Sequence, residues 1–282
     1  MYNNGLILEG GGTRAIYASG VLDAFLDNDL KFDYVIGASA GACNGVSYLG
    51  KNKYRMRDIT LNYVNDKRYM GMECLLKGGQ YLNTSWIFGE LCYELMPLNQ
   101  EEFENSGATF CVVTTSASKG IPKYFYVKNM REWGCKEVKA SCSLPFATKP
   151  VKIDNDAYFD GGLVDSIPIQ KAISDGCKKA VVVLTQHKGY IKKQISPTIC
   201  SLLKTQYPQT AKALANRHNM YNEQLQLVDQ LESEGKIFVV RPSESLNCPT
   251  LEKSIDKLKK IYQIGYDDAT KRIDDLHKYL NR

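Results

Sequence analysis

The chain is poor in histidine: His187, His218 and His277 are the only three in 282 residues. Any mechanism that needs a catalytic imidazole therefore has few candidates. No CxxC occurs, and the nine cysteines are odd in number and irregularly spaced. That pattern suggests neither a disulfide framework nor a zinc site. Several cysteines stand inside apolar runs, such as Cys111 in Phe110–Val113, so buried reduced thiols in a reducing compartment are expected. No apolar run approaches the roughly 20 residues that a membrane-spanning helix needs. The opening MYNNGLILEGGG has neither a basic region nor a long apolar one, so it does not read as a signal peptide. A cytoplasmic location follows as the expectation. There is no fixed-period repeat and no low-complexity tract. The net charge is only +5, and the densest basic groups (Lys51–Arg57, Lys188–Lys193, Lys253–Lys260) lie far apart. Without a basic stripe, nucleic acid is not the expected partner. These groups read as solvated helix faces, with weak peripheral attraction to anionic lipid as the remaining alternative. Oligomeric state is not legible.

What is present is an ordinary globular composition, 44% hydrophobic and 24% charged. Residues 5–9 are an apolar run closed by glycines and predict a strand. Arg14–Asp29 has apolar residues at helical spacing. Tyr34–Ile36 predicts a second strand, and the small-residue stretch Ala40–Leu49 a tightly packed helix. This β-loop-α-β-turn-α opening starts a parallel sheet. Residues 51–107 read as a helical insertion covering the sheet. Thr109–Thr115 predicts a strand with Lys123–Val127 as its hairpin partner. Glu132–Cys142 predicts a helix, and Val151–Ile153 and Ala157–Phe159 flank a turn. Ile167–Ser174 is a short helix with Pro168 in its first turn, and Ala180–Leu184 a buried strand. Ser196–Glu234 reads as mainly helical, Lys236–Arg241 as a strand, and Thr250–Leu280 as one long amphipathic helix. Residues 5–175 thus form the chemical core, and 176–282 an extension that finishes the sheet and adds helices.

Three segments carry chemistry. Gly37-Ala38-Ser39-Ala40-Gly41 matches G-x-S-x-G between a strand and a helix. Such a turn strains the serine and exposes its hydroxyl, and it demands small neighbours. Gly10-Gly11-Gly12-Thr13-Arg14 follows the first strand. Consecutive glycines let several backbone N–H groups converge on an anion, such as the oxygen of a tetrahedral intermediate. Arg14 either positions that loop or attracts an anionic substrate. The same loop with Ala15 fits a dinucleotide fingerprint, G-x-G-x-x-A. That reading expects an acid at the end of the second strand, whereas this strand ends in Gly37-Ala38-Ser39 and Asp33 lies at its start. Asp160-Gly161-Gly162 is the third segment; its carboxylate between a strand and two glycines suits a base for a serine. Taken alone, it reads as a common turn or helix-cap aspartate. His187 follows a strand in the order Ser39, Asp160, His187 and stands as a lesser alternative for a triad.

The ordered set resembles the patatin-like phospholipase family. Lys139-Ala140-Ser141-Cys142-Ser143-Leu144-Pro145 is similar to the family's segment before its aspartate strand. Ser39-Ala40-Gly41-Ala42-Cys43-Asn44-Gly45 and Gly20-Val21-Leu22-Asp23 resemble a bacterial branch of it. The resemblance covers roughly residues 5–175. It implies a three-layer α/β/α fold with a mainly parallel sheet, and hydrolysis of lipid acyl esters without metal or cofactor. It also implies Ser39 as nucleophile, Asp160 as base, and the amides of Gly10, Gly11 and Gly12 as the oxyanion hole, supported by Arg14, Gly37, Gly41, Gly161 and Gly162. One departure is Ala15, where the family usually has glycine. A non-catalytic lipid-binding relative is the alternative within the same resemblance.

Overall fold

A computed structural model describes residues 1–131 and 135–282. Its centre is an eight-stranded sheet: β1 (Tyr2–Leu8), β2 (Tyr34–Ala38), β3 (Thr109–Ser116), β4 (Pro122–Val127), β5 (Val151–Ile153), β6 (Asp156–Asp160), β7 (Cys177–Val183) and β8 (Ile237–Val240). Along β3-β2-β1-β7-β8 every pairing is parallel, while β4, β5 and β6 join antiparallel. The parallel strands are continuous apolar runs because both faces are covered. Leu6, Leu8, Val35, Val112 and Val181 face one core, shared with the helices Ile16–Asp27 and Ile255–Thr270. Ile7, Ile36, Val113 and Val182 alternate onto the other, against Ile169, Tyr221 and Val228. Two cores on opposite faces of one sheet make a three-layer α/β/α fold, with the helical C-terminal part lying on both faces.

The path of β3 decides where the site lies. Phe110–Val113 pair with β2 on one edge, and β4 runs along the other. Thr114 and Thr115 still pair with β4, so β6 takes the edge that β2 has left. The end of β6 therefore meets the end of β2.

Between residues 51 and 107 the chain is helical as expected, with Arg55–Tyr63, Met72–Gly78, Thr84–Trp86 and Gln100–Glu104, and a π-type stretch at Ile87–Leu95 that periodicity did not predict. The helix expected over Glu132–Cys142 occupies Lys136–Ser141; residues 132–134 lie outside the described residues. The single helix expected over Thr250–Leu280 is two, Ile255–Thr270 and Ile273–Leu280. Ser254 caps the first, its side chain accepting from Lys257 N–H. Between them Arg272 leaves helical geometry and donates to the Val239 carbonyl in β8, so the second helix turns its Leu276 and Tyr279 into the core. All nine cysteines are free. Among the described residues no helix is long and apolar enough to cross a membrane.

Candidate active site

Ser39 stands between β2 and the helix Ala40–Leu49 with φ 55° and ψ −128°. A non-glycine residue held there is strained, and the surrounding packing enforces it. A side chain on Gly37 would approach Ala42 N to 2.6 Å, and one on Gly41 would approach Leu8 O to 2.5 Å. The turn therefore closes only with glycine at both positions, and it brings Gly41 against the end of β1. Ser39 is 8% exposed.

The sheet register brings the aspartate to this point. Ala38 pairs with Val113, and the next residue of β3, Thr114, pairs with Asp160. Gly161 must be glycine, since a Cβ there would lie 2.2 Å from Val113 O. The Asp160 carboxyl is buried. Its Oδ1 accepts from Gly162 N–H at 2.8 Å, and its Oδ2 has no formed hydrogen bond among the described residues. Burial raises its pKa. The nearby Ser39 hydroxyl, the Arg217 guanidinium and the Gly162 N–H oppose that rise. The Ser39 hydroxyl is thus near enough to favour the charged carboxylate without forming an aligned hydrogen bond to it.

A third segment splints the pair. Ser141 Oγ accepts from Ser39 N–H at 2.8 Å and donates to the Val113 carbonyl at 2.6 Å. Two residues on, the Ser143 carbonyl accepts from Asp160 N–H at 2.9 Å. Both serines are fully buried. Sequence reasoning placed Lys139–Pro145 only as a lead-in to the aspartate strand and missed these roles.

The glycine loop lies against the same turn. A Cβ on Gly10 would stand 3.3 Å from Ser39 Cβ. The Gly10 N–H points to the Ser166 carbonyl at 3.3 Å, whereas no protein acceptor is found for the N–H groups of Gly11 or Gly12 among the described residues. Gly12 adopts φ +57°, and a side chain there would collide with Thr250 O at 2.2 Å. Arg14 turns away from the turn: it donates to Thr185 Oγ1 and the Cys248 carbonyl, which makes it a brace for the loop. Glu9, just before the glycines, is fully buried and held by Tyr221 Oη at 2.6 Å and Thr185 N–H at 2.5 Å. The extra methyl of Ala15 is accommodated: the residue is buried, and its carbonyl accepts from Asn44 at 3.0 Å. Neither Ser39 nor Asp160 bonds to His187, whose Nδ1 lies 2.8 Å from the Lys188 carbonyl.

A cavity with ≈1100 Å³ of empty space, its open mouth included, runs from Ser39. Met56, Ile59, Ile87, Phe88 and Val138 line it, so residues 51–107 supply much of its apolar wall.

A family profile described as patatin-like phospholipase matches residues 6–173, and a second, described as a domain of unknown function, matches 207–281. An uncharacterized Escherichia coli protein, YjjU, is 27% identical over 267 residues, covering 92% of this chain and 74% of its own length. A probable lipid hydrolase, 463L, of Invertebrate iridescent virus 6 is 27% identical, covering 63% of this chain and 66% of its own. The lysophospholipase nte1 of Aspergillus terreus is 25% identical over 58% of this chain, which spans only 11% of that protein. With more than half its length matched by the first profile and its motifs assembled at one end of the sheet, the chain belongs to the patatin-like phospholipase family.

Proposed function

We propose that the chain is a serine acyl hydrolase for lipid esters, of phospholipase A or lysophospholipase type, working through a Ser39–Asp160 dyad. The observation that supports this most is the register across β3: it puts the end of β2, with the strained serine that lines an apolar cavity, next to the strand end that carries a buried carboxylate. Asp160 takes the Ser39 proton as Oγ attacks the ester carbonyl. The oxyanion that forms is stabilised by the N–H groups of Gly11 and Gly12. Collapse releases the alcohol, which takes the proton from Asp160, and leaves an acyl ester on Ser39. Water then attacks that ester and gives its proton to Asp160. Collapse frees the acid and returns the proton to Ser39. The fatty acyl chain lies among Met56, Ile59 and Phe88.

Hydrolysis of a short-chain p-nitrophenyl ester tests this. Ser39→Ala and Asp160→Asn each lower kcat by about 10⁴-fold or more, with the fold intact by circular dichroism. His187→Ala keeps most of the activity. If His187→Ala were as damaging as Ser39→Ala, the dyad would be wrong. A non-catalytic lipid binder would instead show no turnover in the unmodified chain.

A further inference from the structure

The segment from Met70 to Leu82 leaves the cavity wall and returns to it. Met70 and Leu82 both line the cavity and form an isolated antiparallel bridge. Gly71 N–H to Tyr81 O and Asn83 N–H to Tyr69 O close the base on either side. Outside that base projects the helix Met72–Gly78, with Met72, Leu75 and Leu76 on one face at i, i+3 and i+4. These side chains are 61%, 37% and 82% exposed. The opposite side is tied down, with Cys74 buried and its Sγ on the Lys67 carbonyl.

Two more exposed apolar residues belong to the same rim. Leu251 lines the cavity and is itself exposed. Phe146, also exposed, stands two residues after the lining Leu144, and its neighbour Ala147 accepts from Leu82 N–H. Single exposed apolar side chains are ordinary; a cluster around one opening is not. Base slightly outweighs acid there. Just before and within the projecting segment Lys67 and Lys77 pair with Glu73, and Arg68 pairs with Asp66 and Glu90. Lys149 and Lys253 flank it, with Glu252 next to Lys253 and paired with Lys257. Lys253 Nζ reaches the Met70 carbonyl.

We propose that this rim, led by Met72, Leu75 and Leu76, docks on a lipid bilayer surface that carries anionic headgroups, with the cavity mouth facing the membrane. The proposal rests on reading the cavity as an acyl site: a lipid leaving the bilayer then reaches Ser39 without crossing water. The apolar helix face enters the boundary between headgroups and acyl chains, and the lysines add an attraction that salt screens.

Sedimentation with vesicles tests it. The chain carrying Ser39→Ala, which cannot consume the vesicles, is mixed with phosphatidylcholine vesicles with and without phosphatidylglycerol. It pellets with the anionic vesicles, and less so as salt rises. Adding Leu75→Glu and Leu76→Glu reduces that partitioning roughly tenfold or more. The same pair in a chain with Ser39 intact leaves hydrolysis of soluble p-nitrophenyl butyrate within about twofold, since neither residue lines the cavity. Leu76→Gln alone is the milder control if the pair disturbs folding. Undiminished pelleting of both variants overturns the proposal. So does equal, salt-independent pelleting with pure phosphatidylcholine, or a substitution that only converts a dimer to a monomer in light scattering. If the soluble ester is not hydrolysed at all, the hydrolase reading fails instead, and the pelleting result stands apart from it.

Discussion

In the proposed mechanism Asp160 has to be both buried and charged. Burial raises its pKa, and the groups around it only partly restore the ionised form that a base needs. A carboxylate whose folded pKa is raised stabilises the fold most below its unfolded pKa. That contribution is lost as pH rises through the folded pKa. Above that folded pKa the ionised Asp160 therefore costs stability that the unfolded chain does not bear. Asp160→Asn keeps an oxygen for Gly162 N–H and removes the charge. Its thermal midpoint at pH 7–8 should exceed that of the unmodified chain, by roughly 2–4 °C for each kcal/mol gained, while activity disappears. At pH 4 the gain should shrink. A midpoint unchanged or lowered across this range contradicts the view that buried charge is what strains this position. The residue itself was legible only together with the elbow and the glycine loop, since Asp-Gly-Gly alone reads as a turn. Its environment was not, because its neighbours come from elsewhere in the chain.

At the level of elements, the elbow and the glycine loop were readable because strand, turn and helix follow one another within a few residues. The Ser141 splint was not. Its partners, Ser39 N–H and the Val113 carbonyl, stand 102 and 28 residues away. A serine in a helix gives no local sign of such a contact. Ser141→Ala removes the acceptor of the buried Ser39 N–H and one donor to the Val113 carbonyl, a cost of about 1–3 kcal/mol. The expected result is a lower denaturant midpoint, together with a fall in kcat larger than any change in KM, because the proposed nucleophile is less firmly placed. A variant with unaltered stability and kcat would show that the splint is idle. The break between the two last helices was hidden for the same reason. The apolar pattern runs on through residue 272, and only the contact of Arg272 with Val239 interrupts it.

For the whole molecule, the residues after 175 complete the candidate site although Ser39 and Asp160 precede them. Thr250 O accepts from Thr13 N–H at 2.9 Å and blocks any side chain at Gly12. Tyr221 holds Glu9. Arg217, on the helix Pro208–Ser233, donates through Nε to the Gly162 carbonyl at 2.6 Å and favours the ionised form of Asp160. Helical periodicity foretold the long helix but not which of its polar residues would reach the aspartate turn. Arg217→Gln removes that positive charge, so the pKa of Asp160 rises. In the proposed mechanism kcat/KM grows with pH as Asp160 ionises. The acid limb of the profile should therefore move to higher pH in this variant, and Arg217→Lys should restore part of the shift. A profile that falls uniformly without moving would assign Arg217 to folding alone.

The account depends above all on Ser39 being a nucleophile that Asp160 activates. The most direct test is labelling with an alkyl fluorophosphonate, followed by peptide mass mapping. The mechanism predicts one phosphonate on the peptide that carries Ser39, none after Ser39→Ala, and much slower labelling after Asp160→Asn. A phosphonate on another serine, or labelling of Ser39 at an unchanged rate without the carboxylate, would contradict it.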